Sequence, residues 1–162
     1  MTLPTPLPFP VEPARNQALS GPRLTAASTD HEAVATWLAK YTDNRHTLDS
    51  YRREAERLML WATWHGKDLP GLMVEDVLAY KAFLSDPQPV DLWCQQTEPR
   101  TLPDGSPNPL CRQVRRVTRR LPDGSANPTW RPFVSGLSAS AVKQTTTILF
   151  GLFEHLAAIG YV

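Results

Sequence analysis

Apolar residues recur at intervals of three and four positions in four stretches of the chain, which is the pattern of amphipathic helices. Helices are therefore predicted from Thr29 onward, over residues 45–65, over residues 74–84 and over residues 138–159. The side chains expected to face a core are Val34, Trp37, Leu38 and Tyr41 in the first helix, Leu48, Tyr51, Ala55, Leu58, Met59 and Ala62 in the second, Val74, Val77, Leu78 and Leu84 in the third, and Val142, Thr145, Leu149, Leu152, Phe153 and Leu156 in the fourth. The fold class is mainly α, with a four-helix core.

Polar residues and glycines mark the ends of these helices. Thr29 followed three residues later by Glu32 has the spacing of a capping box. Asn44 is an N-cap residue for the second helix, and Gly66 follows its predicted end. Gly160 closes the fourth helix in the same way. Each predicted helix except the third thus has a chemical stop or start signal.

Proline is concentrated in two regions of the chain. Six of its 16 prolines lie within residues 1–27 and nine lie within residues 86–135. Proline lacks an amide donor and clashes with the preceding helical turn, so neither region can form a long helix. The pattern predicts an extended or disordered tail at 1–27. It also predicts a folded domain at 28–162 that carries a proline-rich insertion, 86–135, between the third and fourth helices.

The insertion contains a near-perfect repeat, LPDGSPNP at 102–109 and LPDGSANP at 121–128. Proline followed by aspartate and glycine is a turn composition, so we interpret Asp104 and Asp123 as turn-forming carboxylates rather than acid/base catalysts. Between the repeats lies CRQVRRVTRR, with five arginines and no acids. Two structures suit this segment: a small antiparallel β-meander with strands near 100–102, 110–121 and 129–131, or a disordered arginine-rich loop.

Composition and motif spacing exclude several kinds of chemistry. The formal net charge is +1, so a case for nucleic acid must rest on local patches. The two cysteines and four histidines have no zinc-site spacing, and no glycine-rich phosphate loop or nucleophile elbow occurs. We therefore expect no metal, no cofactor and no catalytic site. No signal peptide or membrane-spanning run is present in the sequence, which predicts a cytoplasmic protein that does not bind a membrane.

Two of the predicted helices carry a polar strip opposite their apolar face. On the second helix the strip consists of His46, Ser50, Arg53 and Arg57, with Thr47 to one side. On the fourth helix it consists of Ser140, Lys143, Gln144 and Thr147. Cations and hydrogen-bonding groups in one strip suit phosphates and base edges. Taken alone, however, the strips fit a solvated helix face better.

A set of motifs, taken in their order along the chain, resembles a known family and favours nucleic-acid contact over a solvated helix face. The second helix opens with Thr47, then Tyr51 four residues on, then Arg52 and Arg53. A short helix with an acidic Glu-Asp start follows at 75–76, WRPF stands at 130–133, and the last helix ends in an LFxxLxxxGY pattern at 152–161. Over about residues 29–86 and 130–162 the chain resembles the core-binding domain of the tyrosine recombinase, or phage integrase, family.

The resemblance implies a SAM-like four-helix domain that clamps a recombination site in double-stranded DNA through the second and fourth helices. It implies that the nucleophilic tyrosine belongs to a separate C-terminal catalytic domain, so this chain is expected to be non-catalytic. The implied partners are double-stranded DNA and other recombinase protomers, in a bacterial or phage-encoded system. The expected DNA contacts are His46, Thr47, Ser50, Arg53, Arg57, Ser140, Lys143, Gln144 and Thr147, with accessory contacts from Arg112, Arg115, Arg116, Arg119 and Arg120.

Two other functions remain open from the sequence. One is a helical protein-interaction module whose proline-rich segments recruit partners. The other is a stand-alone DNA-binding regulator derived from a truncated integrase. DNA titration separates the first of these from the recombinase reading.

Overall fold

The structure is a computed structural model that describes residues 22–95, 102–107 and 118–162. Its described residues form the helices α1 (Asp30–Leu38), α2 (Arg45–Trp64), α3 (Val74–Ser85), α4 (Val90–Trp93) and α5 (Ala139–Ala158), with 3-10 turns at Ala39–Tyr41 and Leu69–Gly71. The predicted mainly α class is confirmed. The chain divides into two compact units, one comprising residues 83–137 and the other the remainder of the described chain.

The predicted helix ends are confirmed by the capping contacts. The Thr29 hydroxyl accepts a hydrogen bond from the Glu32 amide, and the Glu32 carboxylate accepts one from the Thr29 amide. The Asn44 side chain accepts from the Thr47 amide at the start of α2. Gly160 has a φ of +70°, the left-handed conformation that ends a helix and that favours glycine. These contacts satisfy amides that a helix leaves without an internal partner.

The core of the larger unit lies where α1, α2 and α5 pack against one another. Its large buried side chains include Trp37, Leu58, Trp61, Leu152 and Leu156. Most of the expected inward faces are confirmed; Phe153 is half-buried, and Ile148, which was not expected, is buried. Burial of such side chains stabilises each by roughly 1.5–3 kcal/mol relative to exposure.

Asp30 is a buried carboxylate that joins three parts of this unit. It accepts a hydrogen bond from the Leu69 amide at 2.9 Å and one from the Tyr161 hydroxyl at 2.8 Å. Tyr161 is itself fully buried. The sequence pattern gave no sign of a carboxylate inside, because Asp30 also has the position of a first-turn acid that favours the helix dipole.

The described part of the predicted tail is attached to the end of α5. The Leu24 amide donates to the Ile159 carbonyl at 2.9 Å, and the Arg23 guanidinium lies 5.8 Å from the centre of the Tyr161 ring. Ala27 is buried. Residues 22–27 are irregular in backbone but hydrogen-bonded to the unit, while residues 1–21 lie outside the described chain.

The orientation of α3 differs from the prediction. Val74, Val77 and Leu78 were expected to point inward, yet they are 73%, 43% and 63% exposed. The buried positions are Tyr80 and Leu84, and the Tyr80 ring lies 5.2 Å from that of Trp61. The Tyr80 ring packs on Trp61 and so fixes which side of α3 is buried. The aliphatic run of α3 therefore faces solvent.

The smaller unit has its own aromatic core. The rings of Phe83, Trp93 and Phe133 meet edge to face, with centres 4.9 to 6.5 Å apart. Backbone bonds join its two ends: the Phe133 amide donates to the Trp93 carbonyl, and the Leu137 amide donates to the Leu84 carbonyl. The buried Arg131 side chain also donates to three backbone carbonyls, including that of Asp91.

Both repeats form the predicted turn, and with the same bonds. Gly105 and Gly124 have φ of +82° and +83°. In each turn the aspartate Oδ1, of Asp104 or Asp123, accepts from the amide and the hydroxyl two residues later. These bonds lower the pKa of both carboxyls, as expected for turn-forming groups and not for proton donors.

The β-meander is not found in the parts of the insertion that the structure describes. Cys94–Phe133 and Arg120–Ala126 are isolated bridges, and no described residue belongs to a strand. The strand expected at 129–131 is wrong, because the Asn127 side chain accepts from the Thr129 amide and hydroxyl and turns the chain there. Most of the expected central strand lies outside the described residues.

Candidate nucleic-acid interface

The polar strip of α2 begins at its first turn. His46 is exposed, and Thr47 and Ser50 are half-buried. The Asn44 cap fixes the backbone at this end, so the strip starts from a defined helical position. These three predicted residues present hydrogen-bonding groups at the surface, as the sequence pattern indicated.

Arg57 does not belong to this surface, which corrects the prediction that it is a DNA contact. It is only 6% exposed, and its guanidinium donates to both carboxylate oxygens of Glu54 at 3.1 Å. Glu54 is also buried. The buried charges compensate each other, and a buried arginine would have to leave an uncompensated carboxylate behind in order to reach a phosphate. Helical spacing places Arg57 on the polar strip and so predicts an exposed side chain. Glu54, one turn earlier, instead holds the guanidinium against the protein.

Arg53 lies at the edge of the same cluster and does reach the surface. Its side chain is 38% exposed. Its Nε donates to Glu54 Oε1 at 3.0 Å, and one terminal nitrogen donates to the Ser50 hydroxyl at 3.2 Å. Two of its donor groups are therefore fixed by α2 itself, and the guanidinium has a set orientation.

Glu54 also connects α2 to α5. The Thr145 hydroxyl of α5 donates to Glu54 Oε2 at 3.2 Å. A continuous chain of hydrogen bonds thus runs from Ser50 through Arg53 and Glu54 to Thr145. It joins the exposed strip of one helix to the residue that directly follows Gln144 on the other. The contact between the helices is made by the buried side chains of Glu54 and Thr145.

The strip of α5 is exposed along its predicted length. Ser140, Lys143, Gln144 and Thr147 all lie at the surface. The hydroxyls of Ser140 and Ser138 are 3.2 Å apart, and the Thr147 hydroxyl donates to the Lys143 carbonyl at 3.1 Å. The Lys143 ammonium has no ion-pair partner among the described residues. It is available to an external anion.

Other cations of α2 are already neutralised on the surface. Arg45 and Arg52 both lie beside Asp49, at 3.7 and 3.5 Å. Exposed pairs of this kind contribute little to stability and are easily exchanged for another anion. They add to the positive character of the strip less than the sequence count of arginines indicates.

The accessory arginines are only partly described. Arg112, Arg115 and Arg116 lie outside the described residues. Arg119 and Arg120 are exposed in the smaller unit: the Arg119 guanidinium lies 5.1 Å from the centre of the Trp130 ring, and Arg120 donates to the Gly124 carbonyl at 2.7 Å. Arg120 uses one of its donor groups in this bond and keeps others for an anion.

Two residues near the polar strips were not predicted from the sequence: one is exposed and the other is buried. Phe150 on α5 is 65% exposed, two turns after Lys143 and one turn after Thr147. Helical spacing from Lys143 and Thr147 places Phe150 on the same exposed side of α5. An apolar residue, however, is ordinarily assigned to the core. Glu54 lies beside the strip in helical spacing, where a carboxylate is ordinarily exposed, yet it is buried.

Neither a metal cluster nor a membrane helix occurs in the described parts of the chain. No three His, Cys, Asp or Glu side chains there are grouped to hold a metal ion. None of the helices in residues 22–95 and 118–162 is long and apolar enough to cross a bilayer. No protein-family model, curated protein or solved structure matches the chain. Its function must therefore be argued from its own residues.

Proposed function

We propose that this chain binds double-stranded DNA through α2 and α5, as the core-binding domain of a site-specific tyrosine recombinase. The observation that carries the proposal is the hydrogen-bond chain from Ser50 through Arg53 and Glu54 to Thr145. It fixes the orientation of Arg53 on α2 and ties α2 to α5 at the residue that follows Gln144. Duplex DNA is read by polar helix surfaces because its phosphates and base edges lie close together along the groove.

The two strips divide the work of recognition. Lys143 and Arg53 supply positive charge to phosphates. Gln144 can form a bidentate pair with adenine, and the serine and threonine hydroxyls can contact either phosphates or base edges. His46 and Thr47 extend the strip at the start of α2. With few available cations, the binding depends less on salt than that of a strongly basic domain.

Arg53 is prepared for this contact by its neighbours. A guanidinium with two donor groups already bonded loses less side-chain entropy when it meets a phosphate than a mobile one. Arg57 contributes indirectly, by balancing the charge of Glu54 so that the carboxylate can remain buried. In the proposed interface Arg57 supports Arg53 and does not touch DNA.

The recombinase assignment extends the proposal beyond DNA binding. The SAM-like four-helix arrangement, the insertion 86–135 and the cytoplasmic bacterial or phage setting belong to it, as do the other protomers on the recombination site. Strand cleavage would come from a catalytic domain outside residues 1–162. The arginines of the insertion, including Arg119 and Arg120, would add phosphate contacts without sequence preference.

Fluorescence anisotropy with a labelled duplex at several salt concentrations tests DNA binding. Lys143→Gln and Arg53→Gln should each weaken binding and lower the slope of log affinity against log salt by about 0.9. Lys40→Gln is the matched control, since Lys40 is an exposed cation outside both strips. If Lys40→Gln lowers the slope as much as Lys143→Gln, the strips are not the interface.

The same titration decides between classes of function. A chain that binds no duplex at low salt contradicts the proposal and favours the protein-interaction module. A chain that binds duplex but whose source gene lacks a downstream catalytic domain is instead the stand-alone regulator. Sequencing the gene beyond the codon for Val162 settles that second question.

A further inference from the structure

The outer face of α3 is the largest run of aliphatic side chains that the larger unit leaves uncovered by described residues. Val74 and Leu78 are 73% and 63% exposed, and Met73, just before the helix, is 62% exposed. Val77 adds to one flank. A soluble protein rarely exposes several neighbouring aliphatic side chains on one helix unless they meet a partner. The face is continuous because positions 74 and 78 are one turn apart.

The charges beside this face indicate what the partner is. Glu75 and Lys81 are both exposed, and neither has an ion-pair partner among the described residues. The neighbouring Asp76 differs, because its carboxylate is bound to Lys67 and to the Met73 amide. Along the sequence, Glu75 lies three positions before Leu78 and Lys81 lies three positions after it.

That symmetry of sequence has a direct geometric meaning. If a second α3 lies antiparallel on the first, with a two-fold axis at Leu78, each residue faces the one equally far on the other side. Leu78 then meets Leu78 of the second copy, and Val74 meets the small Ala82. Glu75 meets Lys81 of the second copy, and by symmetry the pair occurs twice. Apolar contact and charge complementarity coincide in one register.

We propose that this protein forms a dimer through antiparallel pairing of α3 with α3 of a second copy. The face of one short helix is smaller than the ~800 Å² per partner of a stable interface, so the dimer is weak, with a dissociation constant of roughly 10 µM to 1 mM. The surface does not include the polar strips of α2 and α5. Dimer formation therefore stands or falls independently of DNA binding.

Sedimentation equilibrium across about a hundredfold range of protein concentration is the first test. The unmodified chain should show a reversible monomer–dimer equilibrium. Leu78→Asp should abolish it, whereas Phe150→Asp, the same change at an exposed apolar residue of α5, should leave it intact. Far-ultraviolet circular dichroism of each variant checks that the helices persist. A chain that stays monomeric throughout the range, or a Leu78→Asp dimer as tight as the original, overturns the proposal.

Charge exchange tests the register itself. Glu75→Lys and Lys81→Glu should each weaken self-association by about tenfold or more, because each places like charges opposite one another twice. The double variant should restore it. An equimolar mixture of the two single variants should form a mixed dimer, since one then carries two lysines and the other two glutamates. If neither the double variant nor the mixture recovers association, α3 does not pair in this way.

Discussion

Replacement of Arg57 by methionine is the sharpest test of how α2 is organised. The change keeps the apolar stem and removes the guanidinium that donates to both oxygens of Glu54 at 3.1 Å. Glu54 would then remain buried, held by the Thr145 hydroxyl and by Arg53, whose side chain is 38% exposed. Because the remaining cation is screened by solvent, it compensates the carboxylate only in part.

The expected cost follows from these contacts. Removing one partner of a buried ion pair destabilises a protein by about 3–5 kcal/mol. Because Glu54 keeps its contacts with Thr145 and Arg53, the destabilisation by Arg57→Met should lie near the lower end of this range, at about 3 kcal/mol. Removing both charges, with Glu54→Leu and Arg57→Met together, leaves no uncompensated carboxylate. That double variant should lose only about 1 kcal/mol, which is about 2 kcal/mol less than Arg57→Met alone, and such a deficit shows that the two changes are coupled.

Urea denaturation followed by far-ultraviolet circular dichroism measures these differences. Arg53→Met is the control, because the guanidinium that it removes is 38% exposed and screened by solvent, so its pair with Glu54 should contribute less than about 1 kcal/mol. If Arg57→Met is as mild as Arg53→Met, the buried pair is not a stabilising contact. If it instead abolishes DNA binding with stability unchanged, Arg57 is a DNA contact and its placement inside the protein is wrong.

Two further predictions concern the ends of the larger unit. Gly160→Ala should destabilise the protein by at least about 1 kcal/mol more than Gly66→Ala, as measured by thermal unfolding. Both glycines have a positive φ, which is strained for alanine. Only at Gly160 would the added Cβ also lie 2.5 Å from a backbone atom, the Pro22 carbonyl oxygen. Equal losses would mean that residues 22–27 do not pack there. Burial raises the pKa of Asp30, so its favourable contribution is complete below the ordinary aspartate pKa and is lost as pH rises through the raised value. The free energy of unfolding of the original chain, minus that of Asp30→Asn, should therefore fall with rising pH in acid denaturant titrations, and a constant or growing difference would contradict the burial argument.

The helix ends and the central core could be predicted because they depend on local chemistry. A hydroxyl followed by a glutamate three residues later can satisfy two helix amides wherever it occurs, as Thr29 and Glu32 do. The repeated turns were predictable for the same reason, since proline, aspartate and glycine each restrict or permit particular backbone angles. None of these features needs information from distant parts of the chain.

Three of the misses depend on contacts between residues far apart in the sequence. The interior position of Arg57 depends on Glu54 and on Thr145, which is 88 positions away. The rotation of α3 depends on Tyr80 meeting Trp61, and periodicity alone marks Val74 and Leu78 as equally good core residues. Buried Asp30 depends on Tyr161 at the other end of the sequence. A single sequence gives the spacing of side chains but not their partners.

Backbone hydrogen bonds between residues 93–95 and Phe133 close the base of the smaller unit, and this closure bears on how the repeat could arise. The backbone amide of Gln95 donates to the Phe133 carbonyl and so closes a loop of 38 positions. One repeat unit accounts for 19 of these positions. Closing a flexible loop costs only about 0.6 kcal/mol more for each doubling of its length. A duplication inside that base would thus have been nearly neutral for the fold. The segment is a place where the gene can lengthen, and acquire or lose arginines, without disturbing the helices.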